Sequence, residues 1–276
     1  MPISPRDFDF VRNLVHQRSA IVLEAGKETL VESRLSLLAR REGIDSVDEL
    51  FRRLHADPAA GKLHVQVVEA MTTNETLFFR DIYPFDMLRN IILPDLFKKR
   101  EVEKRLTIWS AGCSGGQEPY SLAIMLKEQF PQYMNWNIRL LACDLSTEMI
   151  ARAREGRFSQ FEVNRGLPAS LLVKYFHQKG IDWQVREDIR RMVEFSEMNL
   201  AAPWPALPYA DIVFMRNVLI YFNVETKRGI LAQARKTLRP DGYLFLGTAE
   251  TTFNIDENFD RFQNEKAWCY RPKKTP

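Results

Sequence analysis

The sequence predicts an α/β chain: a doubly wound parallel sheet covered by helices, preceded by a helical region and carrying a small antiparallel β insertion. Three observations predict it. From Leu106 onward, short apolar runs alternate with helix-like stretches, as a parallel sheet buried on both faces requires. Residues 1 to about 80 lack strand-like alternation. About 50 residues separate Cys143 from the strand-like run 192–195, more than one crossover helix needs.

The elements follow in order. Leu30, Val31, Leu35, Leu37 and Leu38 fall on one arc at the helical angle of about 100° per residue, and apolar helical patterns run through 47–54 and 63–71. Residues 84–97 form another helical stretch, closed by Lys98, Lys99 and Arg100 and read as the join between domains. The run 106–113 (LTIWSAGC) is a strand ending in a Gly-rich turn, followed by a helix over 120–130. A second strand, 138–143 (IRLLAC), ends at Asp144 and leads to a helix over 146–154. Strands at 211–215 (DIVFM) and 243–247 (YLFLG) flank a helix over 225–238. Within the long connection, Trp183 and Val185 alternate with Asp182, Gln184 and Arg186, as on a half-exposed strand. The expected division is a helical domain over 1–85 and an α/β domain over 86–276, with the insertion at about 158–192.

Composition bounds the function. The 276 residues are 45% hydrophobic and 27% charged, which excludes disorder as the main state. A net charge of +3 does not announce a nucleic-acid binder, and no nucleic-acid partner is expected. Arg6, Asp7 and Asp9 interrupt any apolar signal-peptide core, and the longest uncharged stretch, 198–210, has 13 residues with three prolines, so no membrane insertion is expected. Cys113, Cys143 and Cys269 show no CxxC pairing or metal-ligand spacing. A reducing cytoplasm and a metal-free monomer are the expectation.

The turn 111–116 (AGCSGG) joins a strand to a helix, where free backbone N–H groups can meet a ligand. Its glycines do not match the dinucleotide fingerprint GxGxxG. It does satisfy GxSxG, with Ser114 in the nucleophile position of a hydrolase. That reading needs a late histidine, and only His177 follows Ser114, inside the insertion. Asp144 decides the choice. It ends the second strand, where a carboxylate can accept both hydroxyls of an adenosine ribose. Turn and carboxylate together indicate a nucleoside cofactor, and the missing pyrophosphate fingerprint favours S-adenosylmethionine (SAM) over a dinucleotide.

Several segments now stand in order: 71–81 (MTTNETLFFRD), 109–124 (WSAGCSGGQEPYSLAI), 142–149 (ACDLSTEM), Asn199-Leu200, 212–222 (IVFMRNVLIYF) and 238–247 (LRPDGYLFLG). They resemble the chemotaxis receptor methyltransferases, the CheR family, along nearly the whole chain. The resemblance implies a class I SAM-dependent methyltransferase of Rossmann-like fold with a helical N-terminal substrate-docking domain. It implies methylation of glutamate side chains on the cytoplasmic helices of chemoreceptors, giving methyl esters and S-adenosylhomocysteine, for adaptation in chemotaxis. Carried over by motif, the cofactor pocket comprises Asn74, Thr76, Arg80, Glu118, Asp144, Asn199, Leu200, Arg216 and Asn217, with Gly112 in the turn. The family's GHSE stands here as Gly247-Thr248-Ala249-Glu250, a departure at its two middle positions.

Methyl transfer to a carboxylate needs no general base, because a glutamate is ionised at pH 7. The protein's work is alignment and exclusion of water. Arg80 is the first candidate to hold the acceptor carboxylate, since a guanidinium grips it with two hydrogen bonds; Tyr221 is the second. Glu118 is placed to meet polar groups of the cofactor, and the amides of Asn199 and Asn217 to read its edges. Arg34 and Arg41 share the arc of Leu30, Leu37 and Leu38. Such arginines either snorkel or form an exposed basic stripe for an acidic helical partner, and the resemblance implies the stripe. Family members that dock a receptor's terminal peptide by strand addition carry a Gly-rich hairpin loop. The equivalent 177–182 (HQKGID) is short, so independence from such a tether is expected. The rival functions are a cofactor-binding sensor without turnover and an RNA methyltransferase, and residues 81–276 carry only 28 basic against 24 acidic residues.

Overall fold

A computed structural model describes residues 3–56, 61–264 and 266–273. The chain divides into two compact units, Met1–Thr73 with Tyr221–Thr226, and Asn74–Ile220 with Lys227–Pro276. The helical stretch over 84–97, read from the sequence as a join between domains, lies wholly inside the second unit.

The first unit is helical. Helix α1 (Pro5–Ser19) starts where the Ser4 hydroxyl accepts the Asp7 N–H at 3.1 Å with proline at the first position, and ends at Ala20 in the left-handed region. It is followed by α2 (Glu28–Arg41), α3 (Val47–Ala56) and α4 (Lys62–Ala70). After α1 the chain turns extended: Val22 donates its N–H to the Tyr221 carbonyl at 2.9 Å, and Ile21 bridges Phe222. On α2 the buried residues are Val31, Leu35, Leu38 and Ala39. Leu30 and Leu37, expected in the same apolar arc, face solvent, Leu37 at 61% exposure. Two adjacent stripes of the helix fit one broad arc, and only one of them meets the neighbouring helices.

In the second unit, α5 (Ile82–Met87) runs through a π-helical turn (Leu88–Ile92) into α6 (Leu93–Lys99). Pro94 has no N–H to donate, and the Leu93 N–H reaches back to Leu88, widening the turn without breaking it. The sheet then builds from β1 (Arg105–Ala111), α7 (Gln117–Gln129), β2 (Asn137–Asp144) and α8 (Thr147–Glu155). The insertion follows as β3 (Arg157–Phe158), α9 (Gln160–Val163), α10 (Ala169–Tyr175), β4 (Phe176–Lys179), β5 (Asp182–Val185) and α11 (Glu187–Arg190). The chain returns to the sheet with β6 (Val193–Glu197), β7 (Ala210–Met215), α12 (Val224–Thr237), β8 (Leu238–Leu246), β9 (Phe259–Asn264) and β10 (Ala267–Pro272).

Among the described residues the main sheet has seven strands in the order β6-β2-β1-β7-β8-β10-β9, parallel except for β10, and β3-β5-β4 form a separate antiparallel sheet. The order reverses between β1 and β7, the switch point where open α/β sheets bind ligands beyond the carboxyl ends of their strands. Burial of β7 on both faces explains its unbroken apolar run. The hairpin β9–β10 was absent from the sequence expectations because β9 carries Asp260 and Arg261 and lies at the edge, where charged side chains are favoured. At the opposite end of the strands, Arg100 donates to Asp211 at 2.8 Å and to Asp241 at 2.6 Å, while Asp211 also accepts the Thr107 N–H at 2.8 Å. Although burial pushes the Asp241 carboxyl up, the hydrogen bond and charge of Arg100 bring it net below its usual value.

Candidate active site

The turn after β1 is built by its backbone. Gly112 takes φ 78°, and a Cβ there would stand 2.4 Å from Val218 Cγ2, so only glycine fits. The N–H groups of Gly112 and Cys113 donate to the Cys143 carbonyl at 2.8 and 2.9 Å. Gly116 donates to Cys113, and the Ser114 N–H donates to Asp144 Oδ2 at 2.7 Å. Four of the turn's N–H groups, those of Gly112, Cys113, Ser114 and Gly116, are thus already paired within the protein. The Asp144 carboxylate, at the end of β2, takes one of these donors. That arrangement disfavours a pyrophosphate and suits a cofactor with hydroxyls and a positive charge. Cys113 and Cys143 are buried here, and burial pushes the Cys143 thiol up to about 12.

Ser114 sits at φ 48° and donates its hydroxyl to the Asn74 carbonyl at 2.9 Å. His177 lies on β4 of the small sheet, so the hydrolase reading of GxSxG has no base to support it. The same bond draws the segment carrying Asn74 and the half-buried Thr76 against the glycine turn. On the other side, Met198 donates its N–H to the Asp144 carbonyl at 2.8 Å, bringing Asn199 and Leu200 up to the end of β2. Asn199 is held by accepting the Ala201 N–H at 3.0 Å, and the Leu200 carbonyl accepts the Trp204 indole at 2.9 Å.

A charged cluster closes the cleft between β1 and β7. Glu118, in the first turn of α7, accepts the Ser110 hydroxyl at 2.8 Å and Arg216 Nη1 at 3.2 Å, and Arg216 Nη2 donates to Asp81 at 2.7 Å. Burial pushes the Glu118 carboxyl above its ordinary value, opposed by the Arg216 charge. Arg80 stands between Phe79 and Asp81, both at positive φ (47° and 54°), a conformation rare for a residue as bulky as phenylalanine. The Phe79 N–H is caught by the Ser121 hydroxyl at 2.9 Å, and Arg80 itself donates to the Glu75 carbonyl at 3.1 Å. A Cβ on Gly166 would stand 2.0 Å from the Phe78 carbonyl, so the insertion packs directly on this segment. The buried side-chain atoms without a hydrogen-bond partner among the described residues include Arg216 Nε and Asn217 Oδ1, and Gln117 Oε1 at the start of α7. Orphaned polar atoms at the switch point, next to Asp144 and the glycine turn, fit a polar cofactor.

Asn74, Thr76, Arg80, Gly112, Glu118, Asp144, Asn199, Leu200, Arg216 and Asn217 all belong to the second unit. Tyr221, Arg34 and Arg41 belong to the first. Arg34 differs from the exposed stripe expected of it. Its guanidinium is half-buried and donates to the carbonyls of Met71 at 2.7 Å and Thr72 at 2.9 Å and to the Thr73 hydroxyl at 3.0 Å, closing the end of α4. Burial lowers its pKa, opposed by the Tyr221 charge. Arg41 remains on the flank of α2, 3.6 Å from Glu42. In the insertion, 177–182 is a tight hairpin in which Lys179 pairs with Asp182 across Gly180 and Ile181.

Comparison with known proteins decides the family. A family model described as "CheR methyltransferase, SAM binding domain" matches residues 74–268, and "CheR methyltransferase, all-alpha domain" matches residues 6–72. The chain belongs to the CheR methyltransferase family. It is 41% identical over 278 residues to chemotaxis protein methyltransferase 1 of Pseudomonas aeruginosa, covering 99% of this chain and 100% of that one. It is 40% identical to the chemotaxis protein methyltransferase Cher2 of Pseudomonas putida, over 97% of this chain and 98% of that one. The fold is that of a class I methyltransferase, with the all-α CheR domain ahead of a SAM-binding domain. Among the described residues no helix is long and apolar enough to cross a membrane, and no cluster of His, Cys, Asp or Glu could hold a metal.

Three residues the sequence reasoning passed over complete the site: Ser110, Asp81 and Glu250. Glu250 gathers backbone N–H groups from the loop after β7, and its signal in the sequence was a carboxylate closing the turn Gly247–Glu250.

Proposed function

We propose that this CheR-family protein methylates glutamate side chains of chemoreceptors in the cytoplasm, giving glutamate methyl esters and S-adenosylhomocysteine in chemotactic adaptation. The observation that supports it most is the match to both CheR domains together with relatives named chemotaxis protein methyltransferase over 97–99% of the chain. Bound SAM supplies an activated methyl group to the acceptor carboxylate. Asp144, anchored by the Ser114 and Ser146 N–H groups, presents its carboxylate to the ribose hydroxyls. Arg216 Nε and Asn217 Oδ1 offer one donor and one acceptor, and Glu118 is placed to meet polar groups of the cofactor.

Arg80 orients the acceptor carboxylate. Its neighbours' strained backbone fixes the guanidinium's origin, so alignment is established before the acceptor arrives. Too firm a grip would stabilise the ground state, so orientation outweighs neutralisation. Tyr221 is the second substrate-facing group, and Arg41 gives an acidic helical partner a positive contact on α2, while Arg34 holds the helical unit's end in place. The tight hairpin at Gly180 and Ile181 supports methylation that does not depend on a receptor's terminal peptide.

Incubation with methyl-labelled SAM and a receptor cytoplasmic fragment tests this reading. Base-labile label on the receptor is the expected result, equal with and without the terminal peptide. Label on RNA, or cofactor binding without transfer to any receptor fragment, would sink it.

A further inference from the structure

Glu250 is 6% exposed, and its carboxylate accepts five backbone N–H groups. Oε1 takes those of Val218 at 2.8 Å, Leu219 at 2.6 Å and Ile220 at 3.3 Å, and Oε2 takes those of Asn217 at 2.8 Å and Gly247 at 2.6 Å. Four of the five donors are consecutive, 217–220. Successive N–H groups converge on one anion only when the backbone coils round it. Asn217 adopts φ 59°, a left-handed conformation that a residue with a Cβ adopts reluctantly. Gly247 makes room, since a Cβ there would meet Glu250 Oε2 at 2.7 Å and the Asn217 N at 2.9 Å.

Burying a carboxylate is costly, and a neutral side chain would suffice to end a strand. Four of the five donors to that charge lie on one segment. That segment follows β7 and carries Asn217, whose Oδ1 is buried with no partner. We propose that Glu250 is a positioning residue: it stands in for a bound anion beneath the loop and holds Asn217 in its left-handed conformation, leaving the side-chain amide preorganised for the cofactor. The proposal rests on the reading that Asn217 faces SAM. Through the backbone it also sets Ile220, the residue before Tyr221.

Glu250→Gln tests it. The glutamine oxygen can keep one set of donors, but its NH2 then opposes the N–H groups of the other. Amide hydrogen exchange at 217–220 and 247 is expected to quicken by about tenfold or more while β1 and β7 stay protected. S-adenosylhomocysteine affinity, by calorimetry, is expected to weaken about tenfold in parallel. Unchanged exchange, or faster exchange with unchanged affinity, overturns the proposal. If that variant fails to fold, Glu250→Ala is titrated with acetate and with acetamide. Affinity restored by acetate alone supports the carboxylate's role, and affinity that acetate leaves untouched overturns it. A wild-type chain that binds S-adenosylhomocysteine but leaves receptors unmethylated overturns only the acceptor assignment; one that does not bind it overturns both.

Discussion

Arg216 Nη2 lies 2.7 Å from Asp81 Oδ2, so the end of β7 holds the residue directly after Arg80. The Arg216 side chain is 1% exposed and divides its charge between Asp81 and Glu118. A buried guanidinium paired this way acts as a fixed strut. Asp81→Asn keeps the shape and removes the charge. Turnover with a receptor fragment should fall by up to about a hundredfold, the size of effect a misplacement of about 1 Å produces. A single-turnover assay checks it, and unchanged turnover would detach Asp81 from the positioning of Arg80.

Arg80→Lys separates geometry from charge. Lysine keeps the positive charge but cannot form two parallel hydrogen bonds. The expected outcome is a fall in kcat of about tenfold to a hundredfold with the fold intact. Equal kcat in the lysine variant would assign Arg80 a purely electrostatic part.

At the far end of the strands, Asp211 is the partner of a buried guanidinium. Asp211→Ala leaves Arg100 with Asp241 alone and the Thr107 N–H without its acceptor. Removing one member of a buried pair costs about 3–5 kcal/mol. Denaturant unfolding should show that loss with cofactor affinity per folded molecule unchanged.

The same network predicts an acid limb. Asp241 is held below its ordinary value in the folded chain, so its contribution is complete above the unfolded value of ~3.9 and is lost as pH falls through the lower folded value. Asp241→Asn should flatten the decline in stability below about pH 4. Parallel acid-unfolding curves for the two proteins would contradict the assignment.

Two arginines on one helix should behave differently. Arg34→Ala strips donors from carbonyls at the end of α4 and should cost about 1.5–3 kcal/mol, the range for hydrogen bonds to a charged group. Arg41→Ala should leave melting unchanged and weaken receptor binding most at low salt. Melting curves and binding at two ionic strengths read both effects.

How much of this was legible depended on what a residue's partners are. The runs of β1, β2 and β7 were legible because burial over most of their length keeps them largely apolar, with few polar positions such as Thr107 and Arg139. Asp144 was legible because a carboxylate ending such a run is chemically conspicuous. Leu30 and Leu37 misled, since hydropathy marks a residue as apolar but not which stripe finds a neighbour. The commitment of Arg34 to carbonyls 36–38 residues away in the chain leaves no local pattern. Glu250 escaped for a similar reason: all five of its partners are backbone N–H groups, which every sequence offers everywhere. Edge strand β9 was hidden by its own charges.

The cysteines have a practical consequence. Cys113, Cys143 and Cys269 are all buried, and desolvation raises all three thiols, Cys143 and Cys269 to about 12. Thiolate is the reactive form, so maleimides and mild oxidants should pass the native protein by. A single cysteine introduced on an exposed flank, such as at Ser33 or Ser170, could therefore carry a fluorophore or spin label without first stripping the natural thiols, and labelling of the unmodified chain would report its unfolding.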